Sequence, residues 1–224
     1  MAEIHGVAGE WARVKGTVAG LWPIFLGVFG AGFAFATAVL GYPGVGASLF
    51  VVALVCIGVA LRFGLRHVER FFKGARGEER VAGILRSLPS RYHVFNDFVA
   101  CGNHVDHVVV GPAGVFAIET KNWKGAVTVE DGCILIDGQL PSRSPLDQVL
   151  RESRQVKAQL SRLGWVGGVT PVLAFASDTF KAHIAELQGA VVINSCDLAK
   201  SFETDHVVIP PAELERLVSL MANA

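Results

Sequence analysis

The sequence runs to 224 residues, 51% of them hydrophobic and 18% charged, with 20 basic and 20 acidic side chains cancelling to a formal net charge of zero. Such a balance excludes a globally basic nucleic-acid binder, so any such site has to be local; an apolar fraction this high beside so little charge points to membrane-embedded segments. Four cysteines, Cys56, Cys101, Cys133 and Cys196, lack a Cys-x-x-Cys spacing, which argues against zinc fingers and a disulfide framework and suits reduced thiols in a cytosolic compartment.

Residues 1–16 are mixed in character, an N-terminal cytoplasmic segment with Glu3, Glu10, Arg13 and Lys15 and no catalytic motif. From 17 to 40 the chain carries no charge, and at 1.5 Å per residue it reaches roughly 36 Å, enough to cross a ~30 Å hydrocarbon layer. Gly41-Tyr42-Pro43-Gly44 breaks this run, and a second uncharged run follows over 45–61, so 17–63 reads as a transmembrane helical hairpin. A cleaved signal peptide ending near Ala34-Phe35-Ala36 is the competing reading, against which stand the length of the run and the second span behind it. Gly30, Ala34 and Ala38 form a row of small residues that either packs on the partner helix of the hairpin or serves as a homodimer face. Arg66, Arg70, Lys73 and Arg76 make 64–76 a basic juxtamembrane linker, with Arg62 just before it and 62, 66 and 70 in one helical stripe. Positive charge gathers here and is absent from the turn between the spans, which places both termini in the cytoplasm of a multi-pass cell-membrane protein. The same cations could bind anionic lipid or track nucleic acid.

Residues 77–224 read as an α/β domain. Gly74 to Gly77 is a short linker, and 78–88 an amphipathic helix with Val81, Ile84, Leu85 and Leu88 on its apolar side. Glu78 shares that inward side, either as a first-turn acid complementing the helix dipole or as a site residue. A strand over 92–99 leads to two more, 105–110 and 115–120, joined by the turn Gly111-Pro112-Ala113-Gly114. Both of these are nearly continuous apolar runs, as strands buried on two faces require, yet one carries Asp106 and the other ends in Glu119 and Lys121. Alternation puts Glu119 and Lys121 on one face, and pairing of the strands brings Asp106 to the same end. Two converging carboxylates repel unless a cation lies between them, and their hard oxygens suit Mg²⁺ or Mn²⁺. A metal there polarises a phosphodiester, with Lys121 offsetting developing negative charge. His104 and His107 flank Asp106 but fall on opposite faces of the strand, so a zinc site built from all three is disfavoured; His107 reads as a hydrogen-bonded partner within the fold.

Further on, 127–129 and 134–136 form a hairpin around Asp131-Gly132, 146–163 a helix stopped by Gly164, 169–176 a buried strand, 190–193 a short strand and 211–221 a last amphipathic helix. Gln148 opens the longer helix, where its amide either reaches a phosphate or a metal-bound water or is simply solvated. The order is αβββαβ with additions.

An acid on one strand and Glu-x-Lys on the next, here Asp106 and Glu119-Thr120-Lys121, resembles the signature of PD-(D/E)xK, restriction-endonuclease-like nucleases. Gly77-Glu78, Val105-Asp106-His107, Val109-Val110-Gly111-Pro112, Gly114-Val115-Phe116, Ile118 to Asn122 and Gly125 are together similar to the nuclease-related domain, NERD, of that superfamily. Ser144-Pro145-Leu146 with Gln148 resembles that family's Asn-Pro-x-x-Gln element, Ser144 standing where Asn is usual. The resemblance spans roughly residues 75–178 and leaves the N-terminal third uncovered. It implies a mixed central sheet, a Mg²⁺ or Mn²⁺ held by Asp106, Glu119 and Glu78, catalysis by these with Lys121 and Gln148, and hydrolysis of nucleic acid, DNA first. A non-catalytic module of the same fold that binds nucleic acid or protein at the membrane is the alternative, and a membrane adaptor without a nucleic-acid role the third.

Overall fold

The computed structural model describes residues 1–202 and 207–223, except for the side chains of residues 65–67, so that the side chain of Arg66 from the basic cluster lies outside the described residues. The chain forms two compact units, one of Trp11–Lys73 and one of Met1–Glu10 with Gly74–Ala224.

The smaller unit is built from α1, Glu10–Val39, and the first part of α2, Pro43–Leu85. Both helices are long and apolar enough to cross a membrane. Small residues set how closely they approach: a Cβ on Gly20 would lie 2.1 Å from Val68, and one on Gly27 2.3 Å from Ile57. Gly46 sits 2.7 Å, by the same measure, from both Ala34 O and the Ala38 Cβ, and Ala34 is buried. The Gly30/Ala34/Ala38 row is therefore used inside the hairpin, where backbones in close approach gain van der Waals contact.

The larger unit has a seven-stranded mixed sheet. Its strands are β1, Glu3–His5; β2, His93–Ala100; β3, Asn103–Gly111; β4, Gly114–Lys121; β7, Val169–Phe175; β8, Ile184–Leu187; and β9, Ala190–Asn194, in the order β1-β2-β3-β4-β7-β9-β8. The β2–β3, β3–β4 and β8–β9 pairs are antiparallel, and β1–β2, β4–β7 and β7–β9 are parallel. Between β4 and β7 lie the hairpin β5–β6, Val127–Glu130 and Cys133–Ile136, and α3, Pro145–Arg162, which makes the crossover that parallel pairing demands. A four-residue helix α4, Ser195–Leu198, and α5, Pro211–Ala222, complete the chain. On one face Val81 and Leu85 of α2 pack with Tyr92, Ile118, Val172 and Ile193; on the other Val156 and Leu160 of α3 and Leu217 of α5 pack with Val108, Val115 and Ala117. The central strands are thus covered on both sides, which explains their unbroken apolar runs.

Three sequence expectations change. Residues 1–16 hold a strand, because Glu3–His5 pairs in parallel with His93–Phe95 at the sheet edge. The linkers expected over 64–76 and over Gly74 to Gly77 are helical, part of α2, since each glycine costs a helix only about 1 kcal/mol. That helix stops at Leu85 instead of Leu88, and Leu88 is buried from the turn beyond it.

Gly77 also explains its place in the motif. A Cβ there would lie 2.6 Å from the Cβ of Asn122, one residue past β4, so only glycine lets the helix come this near the strand end. In a free helix Gly→Ala stabilises by up to about 1 kcal/mol, whereas overpacking costs ~1–3 kcal/mol. Gly83→Ala, with open space around it, is accordingly expected to raise the urea midpoint, and Gly77→Ala to lower it; equal shifts in both would show that Gly77 is not under steric load.

Candidate active site

The β3–β4 register ends at His107↔Ile118, which sets Asp106 opposite Glu119 on one face of the sheet. Asp106 is not wasted as a strand residue, because its Oδ2 accepts the Thr120 backbone N–H at 2.7 Å. Glu119 is buried, and Lys121, half-buried on the same face, places its Nζ 2.5 Å from Glu119 Oε1. The two side chains therefore meet as alternation requires.

Helix α3 closes the site from above that face. Ser144 caps its N-terminus, its hydroxyl accepting from Asp147 N at 3.1 Å, so serine does the capping work that asparagine does at such positions. One turn on, Gln148 Oε1 accepts from Lys121 Nζ at 2.9 Å while its Nε2 donates to Glu152 Oε1 at 2.8 Å. Glu152 escaped the sequence reading. It is buried, and it lies four residues after Gln148 on the stripe of Val149, Val156 and Leu160; an acid on an apolar helical stripe is the signal that could have found it. Glu78 approaches from α2 on the other side of the sheet, its carboxylate accepting from the Gly9 backbone.

The electrostatics show more acids than the site can hold ionised on its own. Burial, then Glu119 and Asp97, push Glu78 up to about 7; burial, then Glu119, push Glu152 up to about 8. Asp106 is driven well above the ordinary carboxylate range by burial, Glu119 and Glu78. Burial pulls Lys121 down, but Glu119, Asp106 and Glu152 outweigh it and hold the ammonium charged. Four carboxyl groups around a single ammonium are a hard-oxygen set short of positive charge, which fits a divalent cation of the Mg²⁺ class. They are not pre-gathered to ligand spacing: among the described residues, the groups whose ligand atoms all lie within 4.8 Å of one another are Glu3, His5 and His93, and His183, Cys196 and Asp197.

The histidines beside Asp106 have other work. His107 is fully buried, its Nδ1 2.8 Å from Asn96 Oδ1, and burial lowers its pKa to about 3, so it is a neutral core residue. His104 Nδ1 lies 2.6 Å from Asp97 Oδ1.

A mixed α/β sheet that presents an acid and a Glu-x-Lys pair at the ends of two adjacent central strands has the arrangement implied by the nuclease-like motif. Residues 73–176 match the family model of the nuclease-related domain. An uncharacterized protein of Bacillus anthracis is 31% identical over 84 residues, covering 34% of this chain and 39% of that protein. The chain thus spans about two fifths of the length of the curated relative it matches. No solved structure matches.

The raised acids set a pH dependence. Between about 4.5 and 8 the folded domain keeps protons on Glu78 and Glu152 that the unfolded chain has released, so stability is highest at the acid end and falls as pH rises through this window. In EDTA, the urea midpoint of the unmutated chain is expected to drop from pH 5 to pH 8. Glu152→Gln removes one of these protons and should flatten the decline above pH 6; an unaltered slope would mean that Glu152 does not titrate as a buried acid.

Proposed function

We propose that this chain is a membrane-anchored, metal-dependent nuclease, whose restriction-endonuclease-like domain hydrolyses phosphodiester bonds of DNA or RNA on the cytoplasmic side. The observation that carries the reading is the convergence of Asp106, Glu119, Lys121 and Gln148 at one end of the sheet, with Glu78 and Glu152 beside them. Asp106, Glu119 and Glu78 would hold a divalent ion, Mg²⁺ or Mn²⁺, which when bound would supply Lewis acidity toward the phosphodiester and an attacking water.

The chain's own groups divide the remaining work. Lys121 holds a fixed positive charge where negative charge builds on the phosphoryl oxygens, and in a partly buried site that charge is worth far more than in water. Gln148 accepts from the ammonium and donates to Glu152, so its amide keeps one orientation and Lys121 keeps one rotamer. Asp106 fixes the backbone at Thr120, between the two residues of the Glu-x-Lys pair. Lys121→Met is expected to leave metal and nucleic-acid binding in place and to lower cleavage by ~10²-fold or more, the usual scale for one positioned electrostatic or acid–base group. The assay uses the full chain in detergent with labelled single- and double-stranded DNA and RNA, in Mg²⁺, Mn²⁺ or EDTA. Binding without cleavage in every condition would favour the non-catalytic module, and cleavage untouched by Lys121→Met would remove the mechanism.

The anchor rests on α1 and α2, which are long and apolar enough to cross a membrane. On α1, Phe25, Phe29, Phe33 and Phe35 are exposed, an outward aromatic surface suited to lipid and costly in water. With Arg62, Arg70, Lys73 and Arg76 following the second apolar run, both termini are assigned to the cytoplasm. A reporter fused to the C-terminus should be active only as a cytoplasmic fusion; an external C-terminus would overturn the topology and the intracellular substrate with it.

A further inference from the structure

Away from the candidate active site, the edge of the sheet gathers a second set of metal-ligating side chains. Glu3 and His5 are two apart on β1 and so share a face, and His93 on β2 stands beside Glu3 in the parallel register. Their ligand atoms all lie within 4.8 Å of one another. Each Glu3 oxygen faces a different imidazole: Oε1 is 3.8 Å from His5 Nε2, and Oε2 is 3.4 Å from His93 Nδ1. Both of those ring nitrogens are buried and have no hydrogen-bond partner among the described residues. Leaving a buried polar nitrogen unpaired is unfavourable, so two of them turned toward the same carboxylate ask for a shared partner. The ring planes are already set, because His5 stacks on Phe95 at 4.4 Å and 10° and on His93 at 5.9 Å.

The geometry points to a transition-metal site, of the zinc class, formed by Glu3, His5 and His93 and binding the N-terminal strand to the central sheet. Imidazole nitrogen with one carboxylate is a ligand set for zinc-class ions rather than magnesium. Donors on one tetrahedral ion lie roughly 3.3 Å apart, so the observed separations need only small side-chain rotations to close. Three protein ligands leave a fourth position for water or a further donor. By contrast, in the cluster of His183, Cys196 and Asp197 the imidazole and the thiol already bond Asp197, at 2.6 and 3.3 Å, and both His183 and Cys196 are exposed.

A metal here would act on a weak point. β1 has only three residues, paired on one side, too little to hold by strand pairing alone. Beyond it the chain passes Gly6, whose carbonyl accepts from Asn96 Nδ2 at 3.4 Å, and reaches Gly9, whose backbone bonds Glu78. Fixing β1 therefore also fixes the segment that touches Glu78.

The test is metal titration of the full, EDTA-stripped chain in detergent with Co²⁺ and Zn²⁺. One equivalent of Co²⁺ is expected to give visible d–d bands without a thiolate charge-transfer band, and Zn²⁺ to raise the melting temperature. His5→Gln and His93→Gln should each weaken binding by more than the ~10–100-fold typical of losing an outer-shell partner. Glu3→Gln, at a side chain 63% exposed and hence safe for folding, should weaken it as well. Asp106→Asn with Glu119→Gln, and separately Cys196→Ser, should leave the Co²⁺ spectrum unchanged. Absence of Co²⁺ binding, binding indifferent to His5→Gln, His93→Gln and Glu3→Gln, or binding lost in the Asp106/Glu119 variant would overturn the site. Because the readout is spectral, its failure says nothing against the nuclease reading, and the converse holds.

Discussion

The hydrogen bond from Thr120 N–H to the Asp106 carboxylate is the point on which the site depends. It takes over where the β3–β4 ladder stops at His107↔Ile118, so a side chain continues the pairing that backbone carbonyls had carried. A carboxylate in this role holds the strand end. It also fixes the backbone between Glu119 and Lys121, and with it the face to which both point. Around this joint the fold concentrates acids whose ordinary ionisation burial resists, with Lys121 as their cationic partner. Such an arrangement stores a demand for cationic charge, and that demand is what makes the site chemically interesting.

Each surrounding element serves that joint by a different device. α3 arrives from one face, started by Ser144 and Pro145, so that its first two turns carry Gln148 and Glu152 over Lys121. α2 arrives from the other face and comes near the end of β4 because Gly77 has no Cβ to meet Asn122. The two helices bury Val81, Leu85, Val149, Val156 and Leu160 against the sheet; this apolar packing, at ~1.5–3 kcal/mol per large side chain, offsets the cost of gathering buried acids. Small residues play the matching part in the hairpin, where Gly20, Gly27 and Gly46 let α1 and α2 approach.

Most of the domain was legible in the sequence because its signals are local. Short apolar runs marked β2, β3, β4 and β7 to within a residue or two, and the glycines at 111 and 114 marked the turn between β3 and β4. The αβββαβ order and the pairing of Glu119 with Lys121 followed from alternation. Some features left no local trace. Three residues, Glu3–His5, have too little pattern to declare a strand, and only the exposed edge of β2 makes them one. The short β8 was missed for the same reason.

The sequence by itself determined which side chains share a strand face, because a strand repeats every two residues wherever it is placed. It also determined that two long apolar runs precede the domain, because length and hydropathy are additive along the chain. Only the tertiary structure decided that Glu152 joins Gln148 and Lys121, that Gly77 is a contact point rather than a hinge, and that Glu3 and His5 meet His93 some ninety residues away. Those relations depend on distances between segments far apart in the chain, and such distances are set by how the helices and the edge strand pack on the sheet, which no local period encodes.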